Sequence, residues 1–154
     1  MSTTAAYAAG LVDGEGYIGI HSRQRAGGLR YYSGRITVGM TEPALPALEE
    51  IRAEWGGSLT KNREETERWA AAWAWSLQGR EAVGVCRLLM PYLRVKRQQA
   101  AIVIAMEEFK ASLPTHRGGL PMWSEDAART CEMFKVRIHE LNTRGPRALS
   151  AEVT

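Results

Sequence analysis

The 154-residue sequence is poor in cysteine, with only Cys86 and Cys131. They lie far apart in helix-like segments, which excludes a disulfide framework and a cysteine-built metal centre and makes a reducing compartment the default. No run of about 18 apolar residues occurs, so no membrane-spanning helix is expected. The first residues, Met1-Ser2-Thr3-Thr4-Ala5, lack a basic segment followed by an apolar one, so no secretory signal is expected and the setting should be intracellular: cytoplasm, organelle or nucleoid. Two stretches lack acids altogether. His21 to Thr37 holds Arg23, Arg25, Arg30 and Arg35 with no Asp or Glu; Arg87 to Arg97 holds Arg87, Arg94, Lys96 and Arg97, again unopposed. Acids gather elsewhere, as at Glu42, Glu49, Glu50 and Glu54. The net charge of +3 is small, but this segregation implies one basic side, suited to a nucleic-acid partner.

What is present alternates between helix and strand periods. Ser2 or Thr3 can cap a short Ala- and Gly-rich helix running to about Val12, closed by a turn at Asp13-Gly14-Glu15-Gly16. Tyr17 to Arg25 alternates, with Ile18 and Ile20 on one face and Tyr17, His21, Arg23 and Arg25 on the other. Ala26-Gly27-Gly28 reads as a hairpin loop. Arg30 to Val38 places Tyr32, Ile36 and Val38 inward and Tyr31, Ser33, Arg35 and Thr37 outward. Thr41-Glu42-Pro43 opens a helix with a Leu45, Leu48, Ile51, Trp55 stripe, stopped by Gly56-Gly57. Leu59 to Asn62 and Trp69 to Leu77 form a second hairpin whose solvated tip is 63–68. Helices follow over about 81–90, 96–110 and 124–142, the last capped by Ser124 with Glu125 and Asp126 in its first turn. The order is αββαββα plus C-terminal helices, an α+β arrangement in one domain over 1–154, with 1–4 and 146–154 loose.

Two segments carry chemistry. The first is Ala8-Ala9-Gly10-Leu11-Val12-Asp13-Gly14-Glu15-Gly16; Ala6, just before it, and Gly10 stand four apart and form a small-residue face on which an identical helix can pack closely. Two such helices would bring two Glu15 carboxylates together. Close carboxylates repel unless a divalent cation lies between them, and hard oxygen donors favour Mg²⁺, with phosphate oxygens completing the shell. The stretch resembles the nine-residue motif of the LAGLIDADG homing endonucleases. Ala9, Gly10, Leu11, Asp13 and Gly16 match, Val12 is conservative, and Glu15 stands at the second acid. The second segment, Pro91-Tyr92-Leu93-Arg94-Val95-Lys96-Arg97, resembles that family's Pro-aromatic-Leu-x-x-Lys segment, and Ile138-His139-Glu140-Leu141-Asn142-Thr143-Arg144-Gly145 resembles the end of many members.

The resemblance implies the αββαββα saddle with its antiparallel sheet lying on DNA. It also implies a homodimer, because one chain carries one motif, and a pseudo-palindromic double-stranded target. Mg²⁺, or Mn²⁺ in its place, would serve direct hydrolysis across the minor groove, leaving short 3′ overhangs. Glu15 would be the catalytic acid and metal ligand, with the Gly14 carbonyl as a further ligand. Asp13 would cap helix ends, Ala6 and Gly10 would form the dimer contact, and Lys96 would stabilise developing charge. Lys96 also opens a helix, where the dipole disfavours a cation, a small independent argument for function. One departure lies near Met40, where homodimeric members often carry a Gln.

His21, Arg23, Arg25, Arg30, Tyr31, Ser33, Arg35 and Thr37 of the first hairpin should face DNA, joined by Thr60, Lys61 and Asn62 of the second, with register uncertain by one, and by Arg97. A merely solvated face mixes signs; this hairpin carries only positive charge. Trp69, Trp73 and Trp75, at period-two spacing, read as a core face and not as a stacking platform. His21 has no suitably spaced partner to be a metal ligand. No membrane and no small-molecule substrate is expected. The alternative function is a cleavage-inactive relative acting as a DNA-binding regulator or intron RNA maturase.

Overall fold

The computed structural model describes residues 3–119 and 121–143, in the order α1 (Thr3–Glu15), β1 (Gly16–Gln24), β2 (Arg30–Thr41), a 3-10 turn (Glu42–Ala44), α2 (Leu45–Trp55), β3 (Ser58–Arg63), β4 (Ala72–Gln78), α3 (Gly79–Leu89), α4 (Arg97–Ser112) and α5 (Glu125–Thr143). The strands form one antiparallel sheet in the order β1-β2-β4-β3. Of the termini expected to be loose, 1–4 and 146–154, Thr3 and Thr4 belong to α1, while 1–2 and 146–154 lie outside the described residues, as does the end of the third matching segment with Gly145.

Register decides which side chains share a face. Ile18 pairs with Ile36 and Ile36 with Leu77; Val38 pairs with Trp75 and Trp75 with Leu59. These residues, apart from half-buried Leu59, are at most 2% exposed and pack with Val12, Leu48, Ile51, Cys86, Leu89, Val103 and Met106. The expected inward set Ile18, Ile20, Tyr32, Ile36 and Val38 is buried as a group, which follows from period-two alternation over a helical layer. Cys86 and Cys131 are buried free thiols; burial pushes Cys86 up to about 12 and Cys131 up to about 11, so neither offers a thiolate.

Three expectations change. The turn at 13–16 does not exist: α1 runs through Glu15 and β1 begins at the next residue. No loop intervenes because Gly16 lies against α1 itself; a Cβ there would stand 2.6 Å from the Val12 Cα. Trp69 is not core. It falls outside β4 and is 57% exposed, whereas Trp75 is fully buried and Trp73 half-buried. Strand β4 begins only at Ala72, so the alternation that places Trp73 and Trp75 does not extend to Trp69. The helix expected to open at 41–43 is a 3-10 turn, with the α-helix starting at Leu45. Ser124 caps α5, accepting the Ala127 N–H at 3.1 Å.

Candidate nucleic-acid and phosphodiester site

The C-terminus of α1 and the N-terminus of α4 are fastened reciprocally. The Asp13 carboxylate accepts the backbone N–H groups of Arg94 (2.8 Å), Val95 (3.2 Å) and Lys96 (3.0 Å). The Lys96 ammonium donates to the Asp13 carbonyl at 2.7 Å. Each side chain thus satisfies backbone groups that a helix end leaves without partners, an acid at the positive pole and a cation at the negative one. The conflict expected for a lysine opening a helix is relieved, since the ammonium sits on the Asp13 carbonyl near the C-terminus of α1. Lys96 itself stands at the N-cap of α4 without a side-chain cap of its own.

Two residues along from Asp13, Glu15 is the last helical residue and is exposed, as is Gly14. Asp13 spends its carboxylate oxygens on α4, so Glu15 is the motif acid left to meet a ligand. Among the described residues no group of three His, Cys, Asp or Glu side chains converges on one point. One chain therefore offers Glu15 and neighbouring backbone oxygens: hard donors that fit a divalent cation but fill only part of its shell.

Ala6 and Gly10 are exposed on α1, and a Cβ at Gly10 or Gly14 would meet nothing within 4 Å. Tyr7 on the same helix is 50% exposed and Val95, beside Lys96, is 69% exposed. This side of the chain is small, apolar and uncovered.

The outer face of the sheet starts at the α1–β1 junction. Across its strands Tyr17 pairs with Thr37, Thr37 with Ser76 and Ser76 with Ser58; His21 pairs with Ser33 and Arg23 with Tyr31. Thr37 and Ser76 hydroxyls lie 3.2 Å apart. Arg35 reaches His21 Nε2 at 2.7 Å, and His21 is held below its usual value of 6.5, first by burial and then by the positive Arg35 and Lys135. Arg25 sits in the loop after β1, its guanidinium 3.8 Å from the centre of the Tyr31 ring.

Three residues expected on this face, Lys61, Asn62 and Arg30, lie elsewhere. Lys61 pairs with Trp73, which shares the inward parity of Leu59 and Trp75; it bonds Glu64 at 3.0 Å. Thr60, paired with Ala74, takes the outward position, and Asn62 lies in the bulge between Lys61 and Arg63. Arg30 pairs with Gln24 on the inward parity of Tyr32 and donates to Ser22 at 3.2 Å beneath the hairpin end. Arg97 is exposed at the start of α4. Met40 packs partly against the core, so the outward residues at the end of β2 are Gly39 and Thr41, both exposed. Sequence reading missed this because one residue of register exchanges the faces of a strand.

Comparison with known proteins places this geometry. No family model and no curated protein matches the sequence. Solved structures do. The homing endonuclease I-CvuI, in complex with the I-CreI target in the presence of Mg with the DNA not cleaved, aligns with a TM-score of 0.70 at 21% identity, over 92% of this chain and 82% of that one. The archaeal intron-encoded homing endonuclease I-Vdi141I, complexed with DNA, aligns with a TM-score of 0.66 at 10% identity, over 92% and 85%. The homing endonuclease I-TnaI aligns with a TM-score of 0.51 at 15% identity, over 87% and 99%. No helix among the described residues is long and apolar enough to cross a membrane. Among the described residues, the four-stranded antiparallel sheet and five α-helices make up the α+β fold of the LAGLIDADG homing endonucleases, in its single-motif form.

Proposed function

We propose that this chain is a site-specific double-strand DNA endonuclease acting as a homodimer, one domain per copy, on a pseudo-palindromic target. The observation that carries this reading is the Asp13–Lys96 clasp. It holds α1 and α4 end to end, so that an exposed Glu15 carboxylate and the Lys96 ammonium come to one corner of a polar and basic sheet face. Pairing two copies along the Ala6–Gly10 face would bring two Glu15 residues to the middle of a continuous DNA-reading surface. Glu15, with the Gly14 carbonyl, would hold a divalent cation such as Mg²⁺ or Mn²⁺, which when bound neutralises phosphate charge and polarises water. Asp13 is a positioning residue. Lys96, released from the Asp13 carbonyl towards phosphate, would stabilise charge developing on the reacting phosphoryl oxygens. His21, Arg23, Tyr31, Ser33, Arg35, Thr37 and Thr60 would contact base edges and Arg97 a phosphate.

A DNA-binding protein without cleavage is the second reading, favoured by one observation: of the outward residues at the end of β2, Gly39 has no side chain and only the short Thr41 hydroxyl is left to organise water there. One experiment separates the two. A randomised duplex library incubated with the protein and Mg²⁺ should yield a discrete, two-fold-related cleaved sequence, lost when Mg²⁺ is withheld. Retention of a discrete sequence with both strands intact would favour the binding-only reading, and no selected sequence at all would remove both.

A further inference from the structure

Strand β4 stops pairing with β2 at Arg35–Gln78, while β1 continues along β2 to Arg30. Residues 30–34 of β2 therefore have one open edge. Its carbonyls are already taken: Trp123 Nε1 donates to Arg30 at 2.8 Å and Lys110 Nζ to Tyr32 at 2.8 Å. An added strand is thus blocked. What remains beside the edge is a cleft of about 760 Å³ between β2, the start of α3, the end of α4 and the segment 115–123.

The charge in the cleft is not balanced. Lys110 is buried against Glu107 at 3.1 Å, and Arg87 is paired with Glu108 at 3.0 Å. Arg25 and Arg80 also line the cleft and form no ion pair among the described residues. Arg80 is exposed and lines a second concavity as well, the groove over Arg35, Ser76 and Gln78, where Glu81 is the one acid. In that groove Arg35 Nε is enclosed and has no hydrogen-bond partner. A buried donor without an acceptor costs free energy until one arrives. The two concavities meet at Arg80, and both adjoin outward residues of the sheet.

We propose that the track starting in the groove beside Arg35 and running through Arg80 to Arg25 seats, on Arg80 and Arg25, the phosphate backbone of duplex DNA flanking the bases that Arg35 and the rest of the sheet read. Guanidinium forks suit phosphate oxygens, and the row is continuous with the outer face. This inference rests on the DNA-binding reading. It assigns Arg80 to backbone contact, sequence-independent and separate from the Glu15–Lys96 corner.

The test uses Arg80→Ala, an exposed position whose loss leaves the core intact, with Arg80→Lys as the conservative variant. Affinity for a fixed duplex is measured against salt, and again with neutral methylphosphonates replacing single flank phosphates. Each cation that neutralises one phosphate contributes about 0.9 to the slope of log K against log salt, so a homodimer that loses one Arg80 per copy should lose about 1.8. Arg80→Ala should therefore show a shallower slope with unchanged base preference, and Arg80→Lys should restore the slope. At one or two flank positions the methylphosphonate should weaken the wild-type protein and leave Arg80→Ala indifferent. An unchanged slope with a wild-type methylphosphonate profile would overturn the assignment while leaving DNA binding intact. Failure of the wild-type chain to bind any duplex would instead overturn the reading beneath it, and the assignment with it.

Discussion

The two αββ units are built from the same parts and do different work. Helix α1 closes on Asp13-Gly14-Glu15-Gly16 and α2 on Glu54-Trp55-Gly56-Gly57. Helix α2 ends in glycines of positive φ (75° and 93°), and its terminus is consumed internally: the Gly56 N–H donates to Arg52 and the Gly56 carbonyl accepts Trp75 Nε1, both at 2.7 Å. Its outer face is charged, with Glu49, Glu50, Arg52 and Glu54 exposed, while Leu48 and Ile51 are buried. Helix α1 enters its strand directly, is clasped to α4 through Asp13 and Lys96, and leaves Glu15 exposed. Its outer face is small and uncharged. Similar local words thus give a solvated scaffold helix in one unit and an uncovered, acid-tipped helix in the other. The difference lies in what each terminus is bonded to.

The largest expected effect breaks this comparison at the acids. Glu15→Gln should abolish cleavage in Mg²⁺ while DNA affinity stays within a few-fold, whereas Glu54→Gln should change neither. Single-turnover cleavage and an equilibrium binding assay read both outcomes. Full activity of Glu15→Gln would remove α1 from the chemistry.

Packing gives the next contrast. Gly10→Leu adds a side chain where nothing lies within 4 Å in the single chain. The fold should persist, but close approach of a second α1 should fail, giving a monomer in sedimentation. Leu48→Ala in α2 should instead cost about 2–5 kcal/mol of stability, because Leu48 is fully enclosed, without changing the assembly of the folded fraction. A wild-type monomer both free and on DNA would end the homodimer proposal.

Base reading should also divide unequally between the hairpins. Arg23→Ala or Arg35→Ala should each cost about 1–3 kcal/mol at one base pair in each half-site. Lys61→Ala should leave base preference unchanged, since Lys61 lies on the inward parity beside Trp73. Profiles over a substituted target library would measure this; uniform losses for the two arginines would mean that the outer face does not read bases.

The smallest effect is a titration. His21 is depressed below 6.5 by burial first, then by Arg35 and Lys135. A base whose folded pKa is lowered contributes stability above the unfolded value and loses it as pH falls from about 6.5 towards the folded value. Arg35→Ala should move the His21 midpoint upward towards 6.5, with burial still holding it below. Imidazole NMR resonances would follow it, and an unmoved midpoint would show that burial and Lys135 set the value without Arg35.

Legibility followed the strength of the local pattern. In the first hairpin, Ile18, Ile20, Ile36 and Val38 occupy one parity, so the opposite face could be read from spacing, except for Arg30, which shares the inward parity of Tyr32. The second hairpin has Leu59 alone on β3, and tryptophans on both sides of the true strand start. One residue of register there decides whether Thr60 or Lys61 faces outward, and only pairing with Ala74 and Trp73 resolves it. For the same reason Met40 turns inward at the end of β2, with Gly39 and Thr41 outward on either side of it.

The sequence by itself determined the αββαββα order, the inward residues of the first hairpin, the segregation of positive charge and the two segments bearing Glu15 and Lys96, because periodicity and local composition are properties of neighbouring residues. Only the tertiary structure decided that α1 runs unbroken into β1 against Val12, that Asp13 and Lys96 fasten two helix ends more than 80 positions apart, that Trp69 is exposed, and that Arg80 joins two concavities beside the open edge of β2. These features depend on which distant backbone group or cavity each side chain meets, and no local spacing encodes that partner.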